Sequence, residues 1–142
     1  MLGCNLLLNN KYKMNQINQT FKCPKCGNIV EILRGEKGVL TCCNQSMLLL
    51  RENTQEAAEE KHIPVVFREN NKLKVIVGEV EHPMTEDHSI EWVEIITEQK
   101  VYRHIFSPGE KPECYFEIPQ KQYKVRAYCN LHGLWSSKLL DS

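Results

Sequence analysis

The sequence has no surplus of charge: 18 Lys and Arg stand against 18 Asp and Glu in 142 residues. Phosphate recognition draws on excess Lys and Arg, so general nucleic-acid binding is excluded as a main role. No apolar run approaches the ~20 residues needed to cross a bilayer, which excludes a membrane span. Disorder is excluded by composition, since 42% hydrophobic and 25% charged residues are the proportions of a folded protein. Extended helical periodicity, internal repeats and low-complexity tracts are also missing. The opening residues, MLGCNLLLNNKYK, hold only a short leucine run, too short for the apolar part of a secretory signal. The expected compartment is therefore a reducing cytoplasm, where clustered Cys and His point to metal or redox chemistry.

Those two residue types are what the chain does have, with seven Cys and five His. An odd cysteine count fits a closed disulfide framework poorly. Residues 1–20 are polar and irregular and read as an N-terminal extension. Met14 offers an alternative start, which would leave 1–13 outside the native chain. Residues 21–50 read as a small cysteine-rich domain, with segments 28–33 and 38–41 expected to pair as a hairpin. Some 30 residues bury too little apolar surface to fold unaided, so this piece needs a metal or a partner. Residues 51–61, RENTQEAAEEK, read as a charged linker with about one helical turn.

From residue 62 to 142 the pattern is β. Strands are expected at 72–80, 90–97, 100–106, 114–118 and 122–129, with turn signals His82-Pro83, Ser107-Pro108-Gly109 and Ile118-Pro119 between them. Simple alternation puts Leu73, Val75 and Val77 on one face of the first. In the second it groups Ile90 with Trp92, and Val93 with Ile95 on the opposite face. Short strands with regular turns predict a β-sandwich.

Two constellations carry chemistry. Cys23-Pro24-Lys25-Cys26 is followed 16 residues later by Cys42-Cys43, so four thiols fall within 21 residues. Thiolates from two short loops can surround one tetrahedral ion, zinc or iron. A structural zinc site is the plain alternative; a redox C-x2-C disulfide lacks the βαβ setting it needs. The vicinal pair forces a bend, because adjacent side chains of an extended chain point to opposite faces. The second constellation is His62, His82, His88, Cys129 and His132, each at a break in the strand pattern. Four imidazoles and a thiolate exceed what tetrahedral zinc accepts and suit iron with one open position. His104, in mid-strand, reads as structural or surface, and Cys114 as an apolar residue of the inner face. Cys4 receives no role.

These residues carry a resemblance. From Phe21 to Trp135 the chain resembles the desulfoferrodoxin-type, two-iron superoxide reductases, through CPKC…CC, EEKHIP, EHPMTEDH and CNLHGLW. The resemblance implies a desulforedoxin-like Fe(Cys)4 domain and an immunoglobulin-like β-sandwich with an Fe(His)4(Cys) centre. It also implies equatorial histidines, axial Cys129, Glu60 ligating iron in the oxidised state only, and Lys61 as the active-site lysine. The implied reaction is reduction of superoxide to hydrogen peroxide, with a rubredoxin or similar small electron donor, in a homodimer. A blue-copper protein is a competing reading, from Cys129-x2-His132 at a strand end; such sites use two His and an axial Met, and no Met follows His132. A zinc-binding interaction domain accounts for four Cys and leaves the other five donors unused.

Overall fold

The computed structural model describes residues 14–54 and 62–141, and every regular element among them is a strand. The chain divides into two units, residues 1–50 and 51–142. Residues 1–13 of the expected extension 1–20, with Cys4, lie outside the described residues, as does 55–61 of the expected linker.

The first unit holds β1 (Thr20–Lys22), β2 (Ile29–Glu31), β3 (Thr41–Cys42), β4 (Gln45–Ser46) and β5 (Leu48–Leu49). β1 lies between β2 and β5, while β3 and β4 pair separately. The hairpin expected between 28–33 and 38–41 does not form, because earlier residues take its hydrogen bonds. Asn18 N–H donates to Ile32 O at 2.8 Å, Asn15 N–H to Glu36 O at 3.1 Å, and Met14 bridges Lys37. Gly35 permits this approach: a Cβ there would lie 1.8 Å from the Asn15 carbonyl oxygen.

The second unit holds β6 (Pro64–Glu69), β7 (Lys72–Val77), β8 (Ile90–Ile96), β9 (Val101–Ile105), β10 (Glu113–Phe116), β11 (Gln122–Cys129), β12 (Gly133–Ser136) and β13 (Leu140–Asp141). One sheet runs β10-β7-β6 and the other β12-β11-β8-β9, with β13 against the start of β11. Leu73, Val75 and Val77 of β7 meet Ile90, Val93, Ile95, Val125 and Ala127 of the second sheet in one core. Each such buried aliphatic side chain contributes about 1.5–3 kcal/mol.

Alternation holds in β7 and fails in β8. Ile90, Val93 and Ile95 all reach the core, whereas Trp92 is only half-buried. The register explains it: Tyr128 faces Trp92 but Cys129 faces Ile90, so Glu91 is an extra residue in a β-bulge. One inserted residue reverses the facing of everything before it.

The outer face of β8 and β11 carries a charge network. Arg126 Nε donates to Glu94 Oε1 at 2.7 Å and Arg103 Nε to Glu94 Oε2 at 2.9 Å. Arg126 and Lys124 also reach Glu52, at 3.1 and 2.8 Å. Beside Glu52, Asn53 bonds to β12 on both sides: its N–H donates to Leu134 O at 2.9 Å, and its carbonyl accepts from Ser136 N–H at 3.0 Å. The first residues of the charged segment are thus fastened to the second sheet. His104 is exposed, its ring 4.5 Å from that of Phe106.

Cys114 packs in the core, and burial, aided by the charge of Glu113, pushes its thiol up to about 12. A protonated thiol is a poor nucleophile. Cys114 is therefore expected to resist alkylation in the native protein at pH 8 and to react once the chain is unfolded; labelling followed by peptide mapping checks this.

Candidate metal centres

The first cluster is built by two tight turns. In Cys23-Pro24-Lys25-Cys26-Gly27, the chain reverses with Gly27 at φ 80°. Gly27 N–H donates to Cys23 O at 3.0 Å, and Cys26 N–H reaches Cys23 Sγ at 3.5 Å. The second turn joins β3 to β4 through two residues only, since Cys42 pairs with Gln45. Both central residues are left-handed, Cys43 at φ 52° and Asn44 at φ 61°, the requirement of a type I′ hairpin turn. This is the bend that brings adjacent cysteines to one point.

All four sulfurs lie within 4.8 Å of one another. Cys26 Sγ is 3.6 Å from Cys42 Sγ, and Cys42 Sγ is 3.9 Å from Cys43 Sγ. Thiolates bound at ~2.3 Å around a tetrahedral ion sit about 3.8 Å apart, so these spacings suit a metal. The thiols do not ionise alike. Hydrogen bonding, first from the Cys26 backbone N–H, lowers Cys23 to about 6, whereas sharing with Cys26 and then Cys42 raises Cys43 to about 12. One negative charge forms easily and further ones resist, so a tetrathiolate needs a cation at its centre. The donor chemistry fits iron or zinc.

The second cluster gathers at one end of the sandwich. His62 precedes β6, His82 follows β7, His88 precedes β8, Cys129 ends β11, and His132 lies in the turn to β12. The pairings Pro64–Val77 and Cys129–Ile90 bring these strand ends together. The four imidazoles form a closed square. Ring centroids are 4.7 Å apart for His62–His82, 4.7 Å for His82–His88, 5.0 Å for His88–His132 and 4.8 Å for His132–His62. Each ring stands 70–79° to the next. One donor atom from each, with Cys129 Sγ, falls within 4.8 Å of all the others. His62 Nε2 and His132 Nδ1 are 3.1 Å apart, near the ~2.9 Å expected of adjacent nitrogens bound ~2.0–2.1 Å from one ion. His82 Nδ1 lies 2.7 Å from the Pro83 carbonyl. That oxygen can only accept, so Nδ1 holds the proton and the Nε2 lone pair is directed to the cluster. His62, His82 and Cys129 are buried and His132 is exposed, so the square meets solvent along one edge. Four imidazoles and one thiolate fit iron with one further position.

Residues outside the nine donors hold this arrangement. Trp135 stacks on His62 at 4.6 Å and 15°, and its Nε1–H donates to His132 O at 3.1 Å. Thr85 encloses His88: its hydroxyl accepts from His88 N–H at 3.2 Å, and its own N–H donates to His88 O at 2.9 Å. Neither role shows in residue spacing: the stacking of Trp135 on His62 depends on which strand ends meet, and the Thr85 bonds depend on how one irregular loop turns. Glu60 and Lys61, assigned catalytic roles on the sequence, lie outside the described residues.

The Desulfoferrodoxin N-terminal domain model matches residues 15–50, and the Desulfoferrodoxin model matches residues 54–138. Desulfoferrodoxin of Syntrophotalea carbinolica is 53% identical over 120 residues, covering 84% of this chain and 95% of its own. The desulfoferrodoxin homolog of Archaeoglobus fulgidus is 46% identical, covering 87% of this chain and 99% of its own. Among solved structures, the superoxide reductase from Treponema pallidum superposes with a TM-score of 0.70 at 26% identity, over 89% of this chain and 99% of that one. With family models covering both units and relatives matched over nearly their whole length, the chain belongs to the desulfoferrodoxin family.

Proposed function

We propose that this protein reduces superoxide to hydrogen peroxide, O2•⁻ + e⁻ + 2H⁺ → H2O2, without releasing O2. The observation that carries the reading is the closed square of four imidazoles joined by one buried thiolate. On this reading His62, His82, His88, His132 and Cys129 would hold one iron, and Cys23, Cys26, Cys42 and Cys43 would hold a second. The iron, when bound, supplies the one-electron couple. The protein's own groups decide which molecule reaches it and where protons enter. A single thiolate among neutral imidazoles leaves a divalent ion undercompensated, so the site favours a small anion. The exposed edge at His132 gives water, and hence protons, access to the site. A blue-copper reading is disfavoured because four imidazoles, not two, close around the centre.

Glu60 and Lys61 directly precede His62 in the chain. Lys61 would draw the anion in as a point charge on a flexible stem, and Glu60 would offer the metal a further carboxylate in the oxidised state. A rubredoxin-like donor returns the electron, and the working form is a cytoplasmic homodimer. Lys61→Ala is expected to slow superoxide capture about tenfold at low ionic strength and to flatten its salt dependence. Pulse radiolysis over a salt series checks both.

The function itself is tested by mixing reduced, iron-loaded protein with superoxide and measuring both products. Equal amounts of peroxide formed and superoxide consumed, with no O2, are expected. Half as much peroxide, together with O2, would mean dismutation.

A further inference from the structure

Asn130, between Cys129 and His132, uses both ends of its side-chain amide on the backbone of another segment. Its Oδ1 accepts from the N–H of Ser89 at 3.0 Å, and its Nδ2 donates to the carbonyl of Asp87 at 3.1 Å. Its backbone N–H adds a third bond, to Ser89 O at 3.1 Å. Asp87 and Ser89 are the two neighbours of His88. One residue of the thiolate turn thus grips the chain on both sides of a histidine 42 positions earlier. Thr85 holds the backbone of that same histidine from within its own loop.

We propose that Asn130 is a positioning residue that locks His88 in register with Cys129 and His132. This rests on the assignment of those three side chains to one iron. The β7–β8 connection runs from 78 to 89 without regular structure among its residues, so His88 has no strand ladder before it to set its place. A primary amide suits the task because it offers one acceptor and two donors in a fixed plane. The carbonyl of Asp87 needs the donor and the N–H of Ser89 needs the acceptor. An aliphatic side chain satisfies neither.

The test compares Asn130→Ala with Ser137→Ala, each in the full chain reconstituted with iron. Ser137 lies beside the same sheet, its hydroxyl accepting from Val125 N–H at 3.0 Å, so its loss costs stability without touching His88. Asn130→Ala is expected to shift the visible and EPR signatures of the His/Cys iron and to speed its loss to a chelator by about tenfold or more, the scale of outer-shell changes. The signature of the four-cysteine iron should stay unmoved in the same sample, and Ser137→Ala should leave both signatures unmoved. If Asn130→Ala does not accumulate, Thr85→Val frees the same histidine from the opposite side and is read in the same way. A His/Cys signature and iron retention no different from Ser137→Ala would overturn the proposal. Failure of the unaltered chain to hold iron at the His/Cys cluster would instead overturn the metal assignment beneath it.

Discussion

Replacing Cys129 by alanine is expected to abolish superoxide reduction while the four-cysteine iron stays in place. Cys129 is fully buried at the end of β11, with its Sγ 3.7 Å from His132 Nδ1. It is the only anionic donor among five, so its loss removes the negative charge that balances the metal. Removing even an outer-shell partner typically costs about 10–100-fold, so loss of this donor is expected to exceed roughly 100-fold in rate. The backbone pairing of Cys129 with Ile90 and Gly133 does not depend on its side chain, so the sandwich should persist. Cys129→Ser supplies a hydroxyl that stays protonated at neutral pH, and it should fail nearly as badly. Iron per chain, the visible band of a thiolate bound to iron, and peroxide yield are read together. Full activity with two irons retained would remove Cys129 from the centre.

The largest stability effect is expected at the opposite face of the sheet. Glu94 is 0% exposed, and both its oxygens are engaged by Arg126 and Arg103. Glu94→Ala leaves Arg126, itself only 2% exposed, as a buried cation short of its main partner. Breaking such a pair from one side costs about 3–5 kcal/mol, and urea unfolding measures it. Replacing Glu94 and Arg126 together by apolar residues of similar volume should recover most of that loss, because neither charge is then stranded. The same network gives an acid limb. Burial alone would raise the Glu52 carboxyl, but hydrogen bonds from Lys124 and the charges of Lys124 and Arg126 outweigh it and hold it below the usual 4.5. The ionised form is therefore the one the fold favours. Its stabilisation is present above the unfolded value and fades as pH falls through the lower folded one.

The sequence showed most where chemistry or strict alternation speaks by itself. Leu73, Val75 and Val77 alternate and do face the core. The nine donors stood out as Cys and His at turns, and the fold groups them into two clusters. What stayed hidden was long-range or irregular. A single inserted residue, Glu91, regrouped Ile90 with Val93 and Ile95. Strands of two or three residues, as in the first unit, are too short to have a readable period, and Gly35 revealed its role only once Asn15 lay against it. β6 opens at Pro64, a residue usually read as ending a strand, yet here it occupies the first position, where no preceding ladder bond is lost. Nothing in the spacing marks Glu94 as buried, because the two arginines that pair with it there come from neighbouring strands. The cyclic order of the imidazoles likewise depends on which strand ends meet.

The two clusters differ in how far apart their donors lie along the chain. The cysteines span 23 to 43, so their ion can collect them while the surrounding chain is still loose. The histidines span 62 to 132, and neither His62 nor His132 is near the rest until two sheets have assembled. Contacts of such long range form late, after the loops between them have closed. An ion at the first cluster therefore acts on how readily that segment orders itself. One at the second acts on how slowly the finished sandwich lets go, since contacts absent from the transition state govern the unfolding rate. Metal is thus expected to serve in two kinetic senses, as a nucleus at one cluster and as a latch at the other.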